Sequence, residues 1–135
     1  MKNELSIEDK LLLIKDLSAR LPYAVTVEHT SGFRGTLHDI TVHHMYDDND
    51  NVYDAICYTD FFGDNDDIYI GYFKPYLFPM SSMTEEQKKE LEQIKNNEDA
   101  PYYHDINDFF LKHHLDNRHL IAKGLAIDAT GKDIY

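Results

Sequence analysis

The chain has 135 residues and, with histidine neutral, a net charge of −12 from 13 basic against 25 acidic side chains. At 42% hydrophobic and 13% aromatic residues it can bury a core without help from a disulfide or a metal. The charge disfavours contact with phosphate backbones and favours basic surfaces, including those that other proteins use to hold nucleic acid.

One cysteine, Cys57, allows no internal disulfide, which suits a reducing compartment. The opening MKNELSIEDK has no hydrophobic signal core, and no apolar run is long enough to span a membrane. The expectation is a soluble, cytoplasmic protein folded as a single domain over residues 1–135.

A helix is expected over residues 6–21. Ser6 is its N-cap, Glu8 and Asp9 suit its positive end, and Pro22 closes it. Ile7, Leu11, Ile14, Leu17 or Ser18, and Leu21 give its apolar stripe, widened by Leu12 and Leu13. Residues 23–74 are strand-like, with β-rich runs at 23–29, 36–44, 52–59 and 68–73 separated by polar turn clusters. Four such strands predict an antiparallel meander or a small curled barrel.

Residues 75–83 read as an extended joint that Pro75 and Pro79 keep out of a sheet ladder. Thr84 then opens a second helix with a capping box closed by Gln87. That helix runs to about Lys95, and a third covers about residues 105–114. A short fourth occupies about 117–123 and stops at Gly124, within a helical part spanning 84–124. Residues 125–135 form an extended tail. The fold class is therefore α+β: N-terminal helix, four-stranded sheet or curled barrel, helical C-terminal part.

Between Arg34 and Lys74 the sequence has no lysine or arginine but nine aspartates. They are densest in DDNDN (47–51) and DFFGDNDD (60–67). Aspartate and asparagine suit tight turns, so solvated hairpin tips are one reading. The other is an anionic surface that docks on a basic partner, using Asp47, Asp48, Asp50, Asp64, Asp66 and Asp67. Phe61 and Phe62, adjacent within a turn, add aromatic anchors to that surface. A calcium loop fits poorly: after Asp47, Asn49 and Asn51, the required glycine is Val52 and the closing acid is Tyr58.

The eight histidines include two adjacent pairs, His43–His44 and His113–His114, and neither a strand nor a helix brings neighbours onto one ion. Cys57 lies mid-strand and reads as a small buried hydrophobe. Ser81 and Ser82 precede a helix, where capping serines belong. No catalytic residue, metal ligand or cofactor is assigned.

Three stretches, ARLPY (19–23), KPYLFPMSSMTEE (74–86) and HLDNRHLIAKGLA (114–126), resemble a family of small proteins from Bacteroides-type gut bacteria, their phages and prophages. The resemblance covers about half of the chain and implies a phage or mobile-element setting, with no activity attached. This chain departs from the family pattern at Phe78, where an arginine is usual. It departs again at Asn117, Arg118 and His119, where an aromatic followed by arginine-glycine is usual. The expected function is a non-catalytic acidic protein-binding module acting on a basic host protein, as a regulator or defence antagonist. The alternatives are a small nucleic-acid-associated β-barrel, or a metal-dependent hydrolase using histidine and aspartate.

Overall fold

The computed structural model describes the backbone of residues 5–47, 50–60, 66–96 and 102–135. It is an α+β fold. Helix α1 (Ile7–Arg20) begins where expected: Ser6 is extended and its hydroxyl accepts the N–H of Asp9 at 3.0 Å. A short 3-10 helix, Leu21–Tyr23, follows with Pro22 in its first turn, and Ala24 breaks it at φ 56°. The α1 stripe is rotated from the expected one. Leu13, Asp16, Leu17 and Arg20 are buried, whereas Leu11 is 47% exposed.

Six strands follow: β1 (Thr26–His29), β2 (Arg34–Asp47), β3 (Asp50–Thr59), β4 (Asp66–Tyr69), β5 (Phe73–Leu77) and β6 (Ile127–Asp128). Their order is β4-β3-β2-β1-β5-β6. All pairs are antiparallel except β5 with β6, which is parallel. The expected four-stranded antiparallel sheet is thus a mixed six-stranded one, and it is not closed into a barrel.

The expected tail supplies β6, and two differences account for β4 and β5. The run at 68–73 is broken by a turn in which the Tyr72 N–H bonds to the Tyr69 carbonyl, so it supplies the end of β4 and the start of β5. The expected joint is itself partly a strand: Pro75 lies inside β5, opposite Val27. β6 pairs only with Tyr76 and Leu77, so one flank of Pro75 faces no strand, a position that tolerates a residue without an N–H.

After β5, Phe78 makes an isolated parallel bridge to Leu115, and Met80–Ser82 form a 3-10 turn. Helix α2 (Glu85–Lys95) has both bonds of the expected capping box. Helix α3 (Tyr102–Lys112) ends early, leaving His113 and His114 beyond it. The expected fourth helix is a series of turns. Its glycine stop is real, however. The N–H of Leu125 reaches the carbonyl of Leu120 and that of Gly124 reaches Ile121, with Gly124 at φ 75°. This is the pattern that ends helices, used here to close a turn.

The main core joins α1 (Leu13, Leu17), the sheet (Val25, Val27, Leu37, Ala55, Cys57, Phe73, Leu77) and the closing turns (Leu120, Leu125). Cys57 is fully buried, as expected of a small core residue. A second cluster packs Leu91 and Phe109 around Leu115, with Phe78 and Met80 at its edge. Among the described residues no helix is long and apolar enough to cross a membrane.

Candidate functional site

The strand register fixes where the cation-free interval lies. β1 covers β2 only at Arg34, Gly35 and Thr36, and β4 covers β3 only from Ile56 to Thr59. From His43↔Asp54 to Asp47↔Asp50, the β2–β3 pair therefore has no third strand beside it among the described residues. Five residue pairs at about 3.3 Å each make a two-stranded arm roughly 15 Å long. Residues 43–54 contain four aspartates and no lysine or arginine.

The two acidic clusters do not come together. Asp47 and Asp50 stand at the outer end of the arm, whereas Asp66 pairs with Thr59 at the other end of β3. Nine residue steps separate Asp50 from Thr59, about 30 Å of strand. Asp67 pairs with Tyr58 at that second end. Asp48, Phe61, Phe62 and Asp64 lie outside the described residues.

Two aspartates of the interval serve local geometry instead. Asp60 accepts the Thr36 N–H at 2.6 Å and stands 3.5 Å from His38 Nε2, and Asp39 accepts the Ile40 N–H at 2.8 Å. At the interval's edge, Arg34 bonds the Tyr76 hydroxyl at 3.1 Å and lies 3.8 Å from Glu28. The Tyr76 hydroxyl donates in turn to Glu28.

A second polar constellation escaped the sequence reading. Asp16 and Arg20 are both fully buried and paired two-fold: Nε to Oδ2 at 2.7 Å and Nη2 to Oδ1 at 3.1 Å. Nη2 also reaches the Leu115 carbonyl at 2.8 Å and Asn117 Oδ1 at 3.2 Å, and Arg118 Nη1 donates to Asp16 at 3.0 Å. Asp116, 5% exposed, accepts the N–H groups of Leu120 and Ile121 at 2.7 and 2.9 Å. Phe78 exchanges backbone bonds with His114 and Asp116. The stretches 19–23, 74–86 and 114–126 thus meet at one place. The contacts they make there hold the last third of the chain on α1 and β5.

The tail completes this clasp. The Tyr135 hydroxyl accepts the Thr26 N–H at 3.0 Å and donates to the Tyr76 carbonyl at 2.8 Å, bridging β1 and β5. Burial pushes its phenol up to about 12. Its ring stacks on His114 at 3.6 Å and 10°. Burial, followed by the Arg20 and His113 charges, lowers the His114 imidazole to about 4.

An unfolded histidine titrates near 6.5, so between pH 6.5 and about 4 the unfolded chain binds more protons than the folded one. Stability contributed by neutral His114 is therefore present above pH 6.5 and lost as pH falls through that window. Urea denaturation at pH 7 and pH 4.5 should show this loss, and His114→Phe, which keeps a ring against Tyr135, should reduce it. An unchanged pH dependence in the variant contradicts the assignment.

The remaining histidines are dispersed. His29 Nδ1 faces Ser31 Oγ at 2.7 Å, His38 faces Asp60, and His113 Nε2 lies 3.2 Å from Glu90. Among the described residues, no three His, Cys, Asp or Glu side chains are grouped as a metal site requires. Comparison with protein-family models, with curated proteins and with solved structures gives no match to this chain.

Proposed function

We propose that the protein is a non-catalytic acidic binding module whose β2–β3 arm docks on a basic protein surface. The observation that carries this reading is the arm itself: a strand pair with no third strand beside it among the described residues, in an interval that has nine aspartates and no cation. Backbone bonding accounts for Asp39 and Asp60, which accept the N–H groups of Ile40 and Thr36. A basic surface opposite an interval of one charge sign speeds encounter.

The resemblance to proteins of gut bacteria and their phages supports an accessory role in a phage or prophage setting, with a basic host protein as the target. The proposed partner is thus a protein rather than nucleic acid or a membrane, and the proposed setting is the cytoplasm.

Capture of partners at stepped ionic strength tests the reading. A genuine partner is expected to be held at about 0.05 M salt and released well before 1 M, where the screening length falls to about 3 Å. A partner held equally at every salt concentration would contradict charge-driven docking.

A further inference from the structure

The β3 ladder fixes which backbone groups of the arm face outward. The Ile70 N–H reaches the Ala55 carbonyl at 2.9 Å, so the polar backbone groups of Ala55 point to β4. Successive residues of a strand turn these groups to opposite flanks, and directly opposed residues of an antiparallel pair are alternately bonded and unbonded. Asp54 and Ile56 therefore bond across to β2, at His43 and Thr41. Val42 and His44, opposite Ala55 and Tyr53, turn their N–H and C=O groups away from β3, and Tyr46 does the same. Ile40 fits this alternation: its N–H is taken by the Asp39 carboxylate at 2.8 Å.

On that outer flank the pairing with β1 ends at Thr36, so Val42, His44 and Tyr46 face no strand among the described residues. The run from Ile40 to Tyr46, ITVHHMY, has no lysine, arginine, aspartate, glutamate, proline or glycine. Proteins commonly guard a free sheet edge with charge, proline or a bulge, because its unpaired groups are a template for another strand. The register shift between Leu37 and Asp39 lies before this run and leaves the run itself regular. An unguarded edge of this kind suits an added strand.

Charge selects the occupant. Asp39 and Asp47 bracket the run, and no lysine or arginine lies between Arg34 and Lys74. A second copy of the chain also carries −12 and would bring its own acidic interval to the edge, where like charges oppose pairing. A basic segment meets acid at both ends of the edge instead.

We propose that the basic partner presents an extended, lysine- or arginine-bearing segment that adds as a strand to the outer flank of β2, between Ile40 and Asp47. The inference rests on the docking reading above and adds the mode of contact. Main-chain bonds to Val42, His44 and Tyr46 set the register of the added strand, and charge sets the choice of partner.

Amide hydrogen exchange read by NMR tests it, with an end-capped heptapeptide of alternating lysine and valine as the probe at about 0.05 M salt. In the free protein Val42, His44 and Tyr46 are expected to exchange faster than Thr41, His43 and Met45. The peptide is expected to slow the first three about tenfold at a concentration about ten times its Kd, which removes the alternation. The same peptide with glutamate for lysine is expected to leave the alternation in place. Binding of the lysine peptide that shifts arm resonances but keeps the alternation overturns strand addition and leaves docking by charge standing. No binding of that peptide also overturns strand addition, and the salt-stepped capture then decides docking by charge separately. Equal protection by the glutamate peptide overturns the basic character of the segment. Alternation that vanishes on raising the protein concentration without peptide gives the edge to a second copy and overturns the proposal.

Discussion

Arg20→Met is expected to destabilise the protein by about 3–5 kcal/mol, the usual cost of stranding one member of a buried ion pair. Methionine fills much of the arginine's length, so the cost is electrostatic more than steric. Asp16, fully buried, would keep only the bond from Arg118, which lies at the edge of the cluster. The Leu115 carbonyl and Asn117 Oδ1 would lose their donor, and with it one tie between α1 and the closing segment.

The double variant Asp16→Leu, Arg20→Met should recover part of the loss, because an apolar pair of similar volume removes the stranded charge. Urea denaturation at pH 7 measures both. A cost below about 1 kcal/mol for Arg20→Met would show that the pair is solvated and the clasp is not held by charge.

Asp116→Ala should cost about 2–4 kcal/mol, because one carboxylate satisfies two N–H groups and each enclosed donor left unpaired costs about 1–3 kcal/mol. Its effect extends beyond the turn. Leu120 is fully buried in the main core and Leu125 nearly so, and the Leu125 N–H closes back on the Leu120 carbonyl. Loss of the cap frees this closure and loosens the base on which β6 lies. Asp116→Asn keeps one acceptor oxygen and should fall between the two. Equal stability of all three proteins would remove Asp116 from the account.

What was legible in the sequence is what local chemistry specifies. Ser6 with Asp9, and Thr84 with Gln87, each close a cap within three residues, and both helix starts are found where those residues put them. Gly124 marks a chain reversal through its own positive φ, whether or not a helix precedes it. Cys57, in the middle of a β-rich run, reads as a small buried hydrophobe, and the thiol is in the core.

What was not legible depends on partners far away in the chain. Leu11 and Leu13 are equally apolar, and the choice between them is made by Arg20, which must point at Leu115 and Asn117, over 90 residues later. A stripe with Asp16 and Arg20 among its leucines reads as polar until that partner is in place. The signal that was present is their i, i+4 spacing, one turn apart on the same side as Leu13 and Leu17. Pro75 misled for a similar reason: its missing N–H is tolerated because β6, from the far end of the chain, starts pairing one residue later.

The acidic interval was legible as composition, but its geometry was not. Only the register shows that its two clusters occupy opposite ends of β3. A flat docking surface would meet only one of them, and the β2–β3 arm is the end with no third strand beside it among the described residues.

The most direct measurement is the affinity of a captured basic partner for two charge-neutralised proteins. One carries Asp47, Asp48 and Asp50 as asparagine, the other Asp64, Asp66 and Asp67. Each change removes three charges, so non-specific attraction falls equally in both. The arm variant is expected to bind at least about tenfold more weakly than the other, with the difference shrinking as salt rises. Equal affinities, or a larger loss in the second protein, would contradict docking through the arm.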